Sequence, residues 1–248
     1  MNSIVIPPLH TELKSIEDKL GMLKGFSFLP LGEKPLAFPD NVFIDFTFDF
    51  FDQEVSSFFL IQQAGLIIKI LEEANFKSDS IVVLRSYPFR TNINKLILKQ
   101  RILDKVMEIL EEFFNIRIFF LPTIISRNGF SRSKNPALRL INSMRIDKPA
   151  SIEVKDISRF FLIYEMDIID FFSSHFEKIH KNRAVIEGLE LTLGEIHGRA
   201  IPVTGETSIQ FNQHNFIHFE YPMENSETIR CLNYELEDML MDITSFLF

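Results

Sequence analysis

The chain has 248 residues, 46% apolar and 24% charged, which is enough to bury a large core and ordinary for a soluble globular protein. Its net charge of −8 argues against a general affinity for nucleic acid, which draws on clustered lysine and arginine. One cysteine, Cys231, excludes an intramolecular disulfide and suits a reducing compartment; no basic-then-apolar leader opens the chain, so a cytoplasmic protein is expected.

Strand-like and helix-like stretches alternate along the first half. "SIVIPP" (3–8) reads as a strand and "TELKSIEDKLGML" (11–23) as a helix, with Leu13, Ile16, Leu20 and Leu23 at helical spacing. "GFSFLPL" (25–31) and "NVFIDFTFDF" (41–50) read as the second and third strands. A long helix is expected over 54–75, opened by Asp52 and capped near its end by Asn75. Its apolar window, 56–74, holds two glutamines and a lysine and is too short and interrupted to span a bilayer. "SIVVLRSY" (80–87) is the fourth strand, "NKLILKQRILDKVMEILEEFF" (94–114) a strongly amphipathic helix, and "IRIFFLPTII" (116–125) the fifth strand. This alternation predicts βαβ units around a parallel sheet.

The second half is less regular. "PALRLINSMRI" and "EMDIIDFFSSHFEKIHK" read as helices, the second opened by Asp167, and "SIQFNQHNFIHFEY" (208–221) as a strand. A final helix is expected over "SETIRCLNYELEDMLMDITSF", capped by Ser226. No linker or repeat divides the chain. The expectation is one α/β Rossmann-like unit over 1–248: a core parallel sheet flanked by helices from 1–125, and from 126–248 mainly a small C-terminal lobe of substrate type with elements returning to the core.

The order of these elements resembles the extended short-chain dehydrogenase/reductases, the family of nucleotide-sugar epimerases, dehydratases and dehydrorhamnose reductase-like proteins. The segments that carry the resemblance are "LIQQAGLIIKILEEANFKSDSIVVLRSYPF", "NIRIFFLPTIISRNG" and "ISRFFLIYEMDIIDFF … AVIEGLELTLGEIHGRAI". It implies a Rossmann fold, an NAD(P) cofactor bound at a glycine-rich first turn, and a Tyr-x-x-x-Lys pair that moves a proton and holds the ribose. This chain departs from each part of that pattern. Pro8, Thr11 and Lys14 stand where the three glycines are expected, so a tight turn, a free N–H and a close backbone approach to a pyrophosphate are all lost. At the Tyr and Lys positions one register gives Leu96 and Gln100, the other Lys95 and Lys99, and neither supplies a phenol. "LRSYPF" resembles the family's Ser-Thr-Asp-Tyr-Val-Phe, with Arg85 at the Thr position and Tyr87 at the Tyr, while Ser86 could serve if the register slips. The loop from Phe89 to Asn94 is short where the family carries substrate contacts.

Two readings follow. The first is a non-catalytic relative, acting as an interaction or regulatory subunit or as a small-ligand binder, with no cofactor expected. The second is an NAD(P)-dependent nucleotide-sugar epimerase, dehydratase or reductase of surface polysaccharide synthesis with a shifted site built from Ser86, Tyr87, Lys95 and Lys99. Under both, Arg127 and Arg132 in the basic loop "RNGFSRSKNPALR" are candidates to meet a sugar diphosphate. A pure scaffold would instead fill the cleft with side chains such as Lys14, Phe48 or Phe89.

The remaining features are read blandly. His214 and His218 would share one face of a strand, but only Glu220 joins them there, so hydrogen-bonded imidazoles are expected and no metal. His175 and His180, five apart on a helix, point away from each other. Asp45 and Asp49 would face one side at a strand end beside Asp52 and Glu54. Cys231 reads as a buried residue of the last helix. With 27 phenylalanines and no tryptophan, and Phe at the C-terminus, some apolar surface needs cover; a protein partner or a homodimer through helices 54–75 and 94–114 is expected.

Overall fold

The computed structural model describes residues 3–6, 26–28, 41–47, 50–52, 55–74, 81–126, 133–174, 179, 181–222 and 225–245. Seven strands form one parallel sheet: β1 (Ser3–Ile6), β2 (Phe26–Phe28), β3 (Asn41–Phe46), β4 (Ile81–Ser86), β6 (Ile116–Leu121), β10 (Arg183–Ile186) and β14 (Glu227–Ile229). Their spatial order is β14-β10-β6-β4-β3-β1-β2, and every adjacent pair runs parallel. The direction of winding reverses between β1 and β3, which is where open α/β sheets form their ligand crevice. This is the Rossmann-like α/β architecture that the alternation predicts.

The central strands β3, β4, β6 and β10 are buried on both faces, as parallel sheets require. One face carries Val42, Ile44, Phe46, Ile81 and Val83 under α1 (Ser57–Ala74) and α2 (Asn94–Phe113). The other carries Phe43, Val82, Leu84 and Phe119 against Phe171 and Phe172 of α4 (Glu165–Ser174). The period-2 alternation of apolar side chains within β3 and β4 is thus split between two cores. α1 packs on α2.

Pro122 divides the expected fifth strand. Having no N–H for the ladder, it ends β6 and turns the chain into β7 (Thr123–Ile125), which leaves the main sheet and pairs with β9 (Arg159–Tyr164). β9 belongs to a second sheet ordered β11-β9-β13-β5, made with β11 (Leu189–Thr192), β13 (Ile217–Phe219) and β5 (Phe89–Thr91). β8 (Ala150–Ile152) and β12 (Ile209–Phe211) make a small parallel pair. The expected strand 208–221 is therefore two strands in different sheets. A lobe of three helices completes the fold: α3 (Pro136–Arg145) packs on α5 (Leu193–Thr204), and α5 on α6 (Leu236–Ser245).

Local sequence sets the helix starts. Asn135 accepts the Ala137 N–H at 3.0 Å with Pro136 at the first helical position of α3. Thr192 and Glu195 form a reciprocal capping box at α5. At α1 the cap is Ser56, whose hydroxyl accepts the Phe59 N–H, and the helix starts five residues after Asp52. Ser226 does not cap the final helix: residues 227–229 are strand β14, and α6 begins only at Leu236, with Asp238 accepting the Glu235 N–H. The helix expected over 11–23, the Asn75 cap, and His175 and His180 lie outside the described residues. Among the described residues no helix is long and apolar enough to cross a membrane.

Candidate functional site

The ends of β3, β4, β6 and β10 meet at the carboxyl edge of the sheet. β4 and β6 run in step to their last residues, Ser86 beside Leu121. The chain leaves β4 through Tyr87 and Pro88 and enters the second sheet as β5, which pairs antiparallel with β13. The short segment before α2 is thus used to bind the lobe. Thr91 Oγ1 donates to the Phe216 carbonyl at 2.7 Å, Asn92 Nδ2 donates to the His214 carbonyl at 3.0 Å, and Asn92 Oδ1 accepts the Phe216 N–H at 3.0 Å. Sequence reading missed this clip; an Asn just before a helix that has no side-chain cap was its only signal.

Tyr87 does not open into a cleft. It is 1% exposed, its hydroxyl donates to the Ile186 carbonyl at 2.5 Å, and its ring lies 5.0 Å from Phe161 and 5.7 Å from Tyr221. Burial, and then the charges of Tyr221 and Glu187, push its ionisation well above the usual phenol range. A buried phenol held this way neither gives nor takes a proton near neutral pH.

Lys99 is buried on α2 and reaches the segment after β3, donating to the carbonyls of Phe50 at 2.6 Å and Asp52 at 2.8 Å. Lys95 is exposed and Ser86 half-buried. Leu96, at the Tyr position of the other register, is buried in the core. The candidate side chains therefore divide: Tyr87 and Lys99 are spent on internal contacts, while Ser86 and Lys95 meet solvent.

Arg85 shows what replaces a carbonyl-polarising hydroxyl. It is 5% exposed, its Nη2 donates to Asp104 Oδ1 at 2.9 Å, and Gln100 donates to the same oxygen at 2.9 Å. Its guanidinium carbon lies 5.3 Å over the Phe120 ring. Burial lowers its pKa and the Asp104 carboxylate opposes that shift. The group ties α2 to the sheet.

Aromatic rings fill the space beside these ends. Phe50 packs edge-on against Phe89 at 5.6 Å, Phe89 lies 5.4 Å from Phe219, and Phe219 lies 5.2 Å from Phe160. Of the three cleft-filling side chains expected of a scaffold, Phe89 is buried here, and Lys14 and Phe48 lie outside the described residues. Pro8, Thr11, Arg127 and Arg132 lie outside them too, as do Asp49 and Glu54. Asp45 is buried at the end of β3, where its Oδ1 accepts both the N–H (2.7 Å) and the hydroxyl (2.6 Å) of Thr47. It closes a local turn.

The other candidates separate in space. His214 lies in an exposed bend and His218 in β13, so they do not share a strand face. Burial and the nearby Arg159 lower the pKa of His218. Among the described residues no three His, Cys, Asp or Glu side chains gather as a metal site needs. Cys231 is not on the last helix but in the segment before it, where burial and nearby carboxylates push its thiol up to about 12. Asp167 lies in the first turn of α4, wholly buried, and accepts from the backbone and side-chain nitrogens of Asn233 at 2.9 Å each.

No protein-family model matches the sequence, and no curated protein does either. Solved structures do match in fold, over essentially the whole chain. The holo form of a GalE-like L-threonine dehydrogenase from Cupriavidus necator is 8% identical, covers 100% of both chains, and gives a TM-score of 0.67. A GDP-mannoheptose C4 reductase from Campylobacter jejuni with NADP bound is 13% identical, with 99% of this chain and 98% of that one covered and a TM-score of 0.62. A UDP-glucuronic acid 4-epimerase from Bacillus cereus, bound to NAD and a fluorinated UDP-sugar, is 13% identical over 100% of both chains, with a TM-score of 0.62. This chain shares the Rossmann-like α/β fold of these proteins over essentially its whole length.

Two of these fold neighbours carry a nicotinamide dinucleotide, NADP in the reductase and NAD in the epimerase. The described residues at the positions of the tyrosine–lysine pair do not supply that pair: Leu96 is buried in the core, and the Lys99 ammonium is held by the two carbonyls after β3.

Proposed function

We propose that this chain holds a nucleotide-linked small molecule of the nucleotide-sugar class at the carboxyl edge of its parallel sheet, without the tyrosine–lysine proton transfer of the related oxidoreductases. It works as one unit in the cytoplasm, as a regulatory or interaction subunit, and pairs with a second copy through α1 and α2. The observation that carries the loss of chemistry is Tyr87, sealed in the core with its hydroxyl on a backbone carbonyl. The ligand class is supported by full-length fold neighbours named as acting on GDP- and UDP-sugars. Arg127 and Arg132 are the proposed diphosphate contacts, and Pro8, Thr11 and Lys14, standing where three glycines are expected, disfavour a dinucleotide.

A second reading is an NAD(P)-dependent nucleotide-sugar epimerase, dehydratase or reductase that uses solvent-facing Ser86 and Lys95. The named activities of the fold neighbours support it, and they speak for sugar-nucleotide chemistry more than for a purely accessory role. Isothermal calorimetry with UDP-glucuronic acid, GDP-mannose, NADH and NADPH separates the two. The proposal expects a sugar nucleotide to bind at micromolar concentration and neither dinucleotide to bind at 1 mM, roughly the weak end of specific recognition. Tight binding of NADH or NADPH would transfer the case to the second reading.

A further inference from the structure

A ligand at the carboxyl edge and the protein's own side chains compete for the same space. β3 ends at Phe46 on that edge, beside the point where the winding of the sheet reverses, and α1 starts at Ser57. Between them Phe50 and Phe51 form a turn that leads into Asp52. Phe50 is buried, and its ring packs edge-on against Phe89; the contacts continue through Phe219 to Phe160 in the second sheet. Four rings thus join the turn after β3 to the second sheet, at the edge where α/β sheets take their ligands. A ligand entering there has to part Phe50 from Phe89.

One side chain fixes this turn from outside. Lys99, in the second turn of α2, donates from Nζ to the Phe50 carbonyl at 2.6 Å and to the Asp52 carbonyl at 2.8 Å. Both carbonyls belong to a segment outside the sheet and the helices, so their donors must come from elsewhere in the fold. A buried ammonium is a strong, charge-assisted donor. Bridging two carbonyls two residues apart, it sets the curvature of the turn and with it the place of the Phe50 ring. α2 itself is anchored, since Arg85 and Arg183 on the sheet hold its Asp104 and Glu111. Lys99 therefore reaches from a rigid element to an irregular one, and the turn is the part that yields.

We infer that Phe50–Asp52 is a strap that closes the carboxyl edge, that Lys99 latches it, and that a sugar nucleotide binds only once the strap has opened. The inference rests on the ligand reading above and adds the control of that site. A closed strap lowers the apparent affinity in proportion to the fraction of molecules that are open. Loosening the latch then raises affinity. A lysine with a structural role alone would lower affinity when removed, or leave it unchanged.

The test compares the full-length wild type with K99M, which keeps the aliphatic stem and removes the donors, and with K99R, which keeps donors. Strap opening is read as the rate of chymotrypsin cleavage after Phe50 and Phe51, with cleavage after Phe120 in buried β6 as the control for global unfolding. Affinity is read by calorimetry with UDP-glucuronic acid. K99M should be cut at the strap about 100-fold faster, with a rise of about tenfold or less at Phe120, and should bind the sugar nucleotide about 10- to 100-fold more tightly. K99R should stay within about threefold of wild type in both. Equal cleavage of wild type and K99M would overturn the latch. Faster cleavage with unchanged or weaker binding would overturn the competition between strap and ligand. If neither protein binds UDP-glucuronic acid or GDP-mannose at about 1 mM, the ligand reading falls, and the cleavage rates still decide the latch. If K99M does not fold, F50L replaces it, leaving Lys99 in place and removing the ring contact to Phe89. It should be cut faster after Phe51 and bind about tenfold more tightly, and weaker or unchanged binding would overturn the strap.

Discussion

Replacing Tyr87 by phenylalanine separates a structural tyrosine from a catalytic one. The change deletes one oxygen and keeps the ring on Phe161 and Tyr221. What is lost is the hydrogen bond to the Ile186 carbonyl, and Ile186 is 0% exposed, so water cannot take its place without opening the packing. A buried acceptor stripped of its donor costs about 1–3 kcal/mol, and the conserved shape of the phenyl ring places Y87F at about 1–2 kcal/mol. For a chain of this length that is a fall in Tm of roughly 2–8 °C, with a matching drop in urea midpoint and an unchanged m-value. Nucleotide-sugar affinity, read by calorimetry well below the new Tm, should match wild type within about twofold. Unchanged stability with lost affinity or lost turnover would refute the reasoning, since it would put the hydroxyl in an open site.

Other consequences follow from the same packing. A methyl group on Gly188 would lie 2.7 Å from the Pro122 ring and 3.1 Å from Phe161 Cβ, so G188A should cost about 1–3 kcal/mol by thermal melting. Asp167 has a raised pKa, chiefly from burial, so its unfavourable ionisation grows as pH rises from its unfolded value near 3.9 through its folded one. D167N, which keeps an acceptor for Asn233, should therefore gain stability relative to wild type between pH 4 and pH 7 in paired denaturation curves; a constant difference would contradict this. With its thiol at about 12, Cys231 should react with iodoacetamide at pH 8 about 10³-fold more slowly in the native protein than after unfolding. N92A should loosen the 212–216 loop, read as faster amide exchange at Phe216, whose N–H it now holds.

The sequence carried the fold where hydrophobic period and helix length agree. β4 and α2 lie within a residue of expectation because each joins a strong apolar pattern to a clear boundary, and β6 starts where expected. It misled where one residue changes the partner rather than the element. Pro122 converts a continuous apolar run into strands of two sheets, and the bend at 212–216 does the same to 208–221. Ser226 carries a cap's chemistry, yet the β-branched Thr228 and Ile229 after it join the sheet edge and push the helix to Leu236. The absence of a Tyr-x-x-x-Lys pair could be read directly from Leu96 and Gln100. The fates of Tyr87 and Lys99 could not, because they depend on Ile186 and on Phe50 and Asp52, far away in sequence.

The most direct test of the central claim is turnover. Purified protein, at a concentration equal to that of UDP-glucuronic acid or GDP-mannose, is incubated with NAD⁺ or NADPH for hours while the sugar resonances are followed by proton NMR and the cofactor by absorbance. The account predicts that the sugar nucleotide shifts on binding and is recovered unchanged. A new sugar resonance, or a change in cofactor absorbance that needs the sugar, would contradict it.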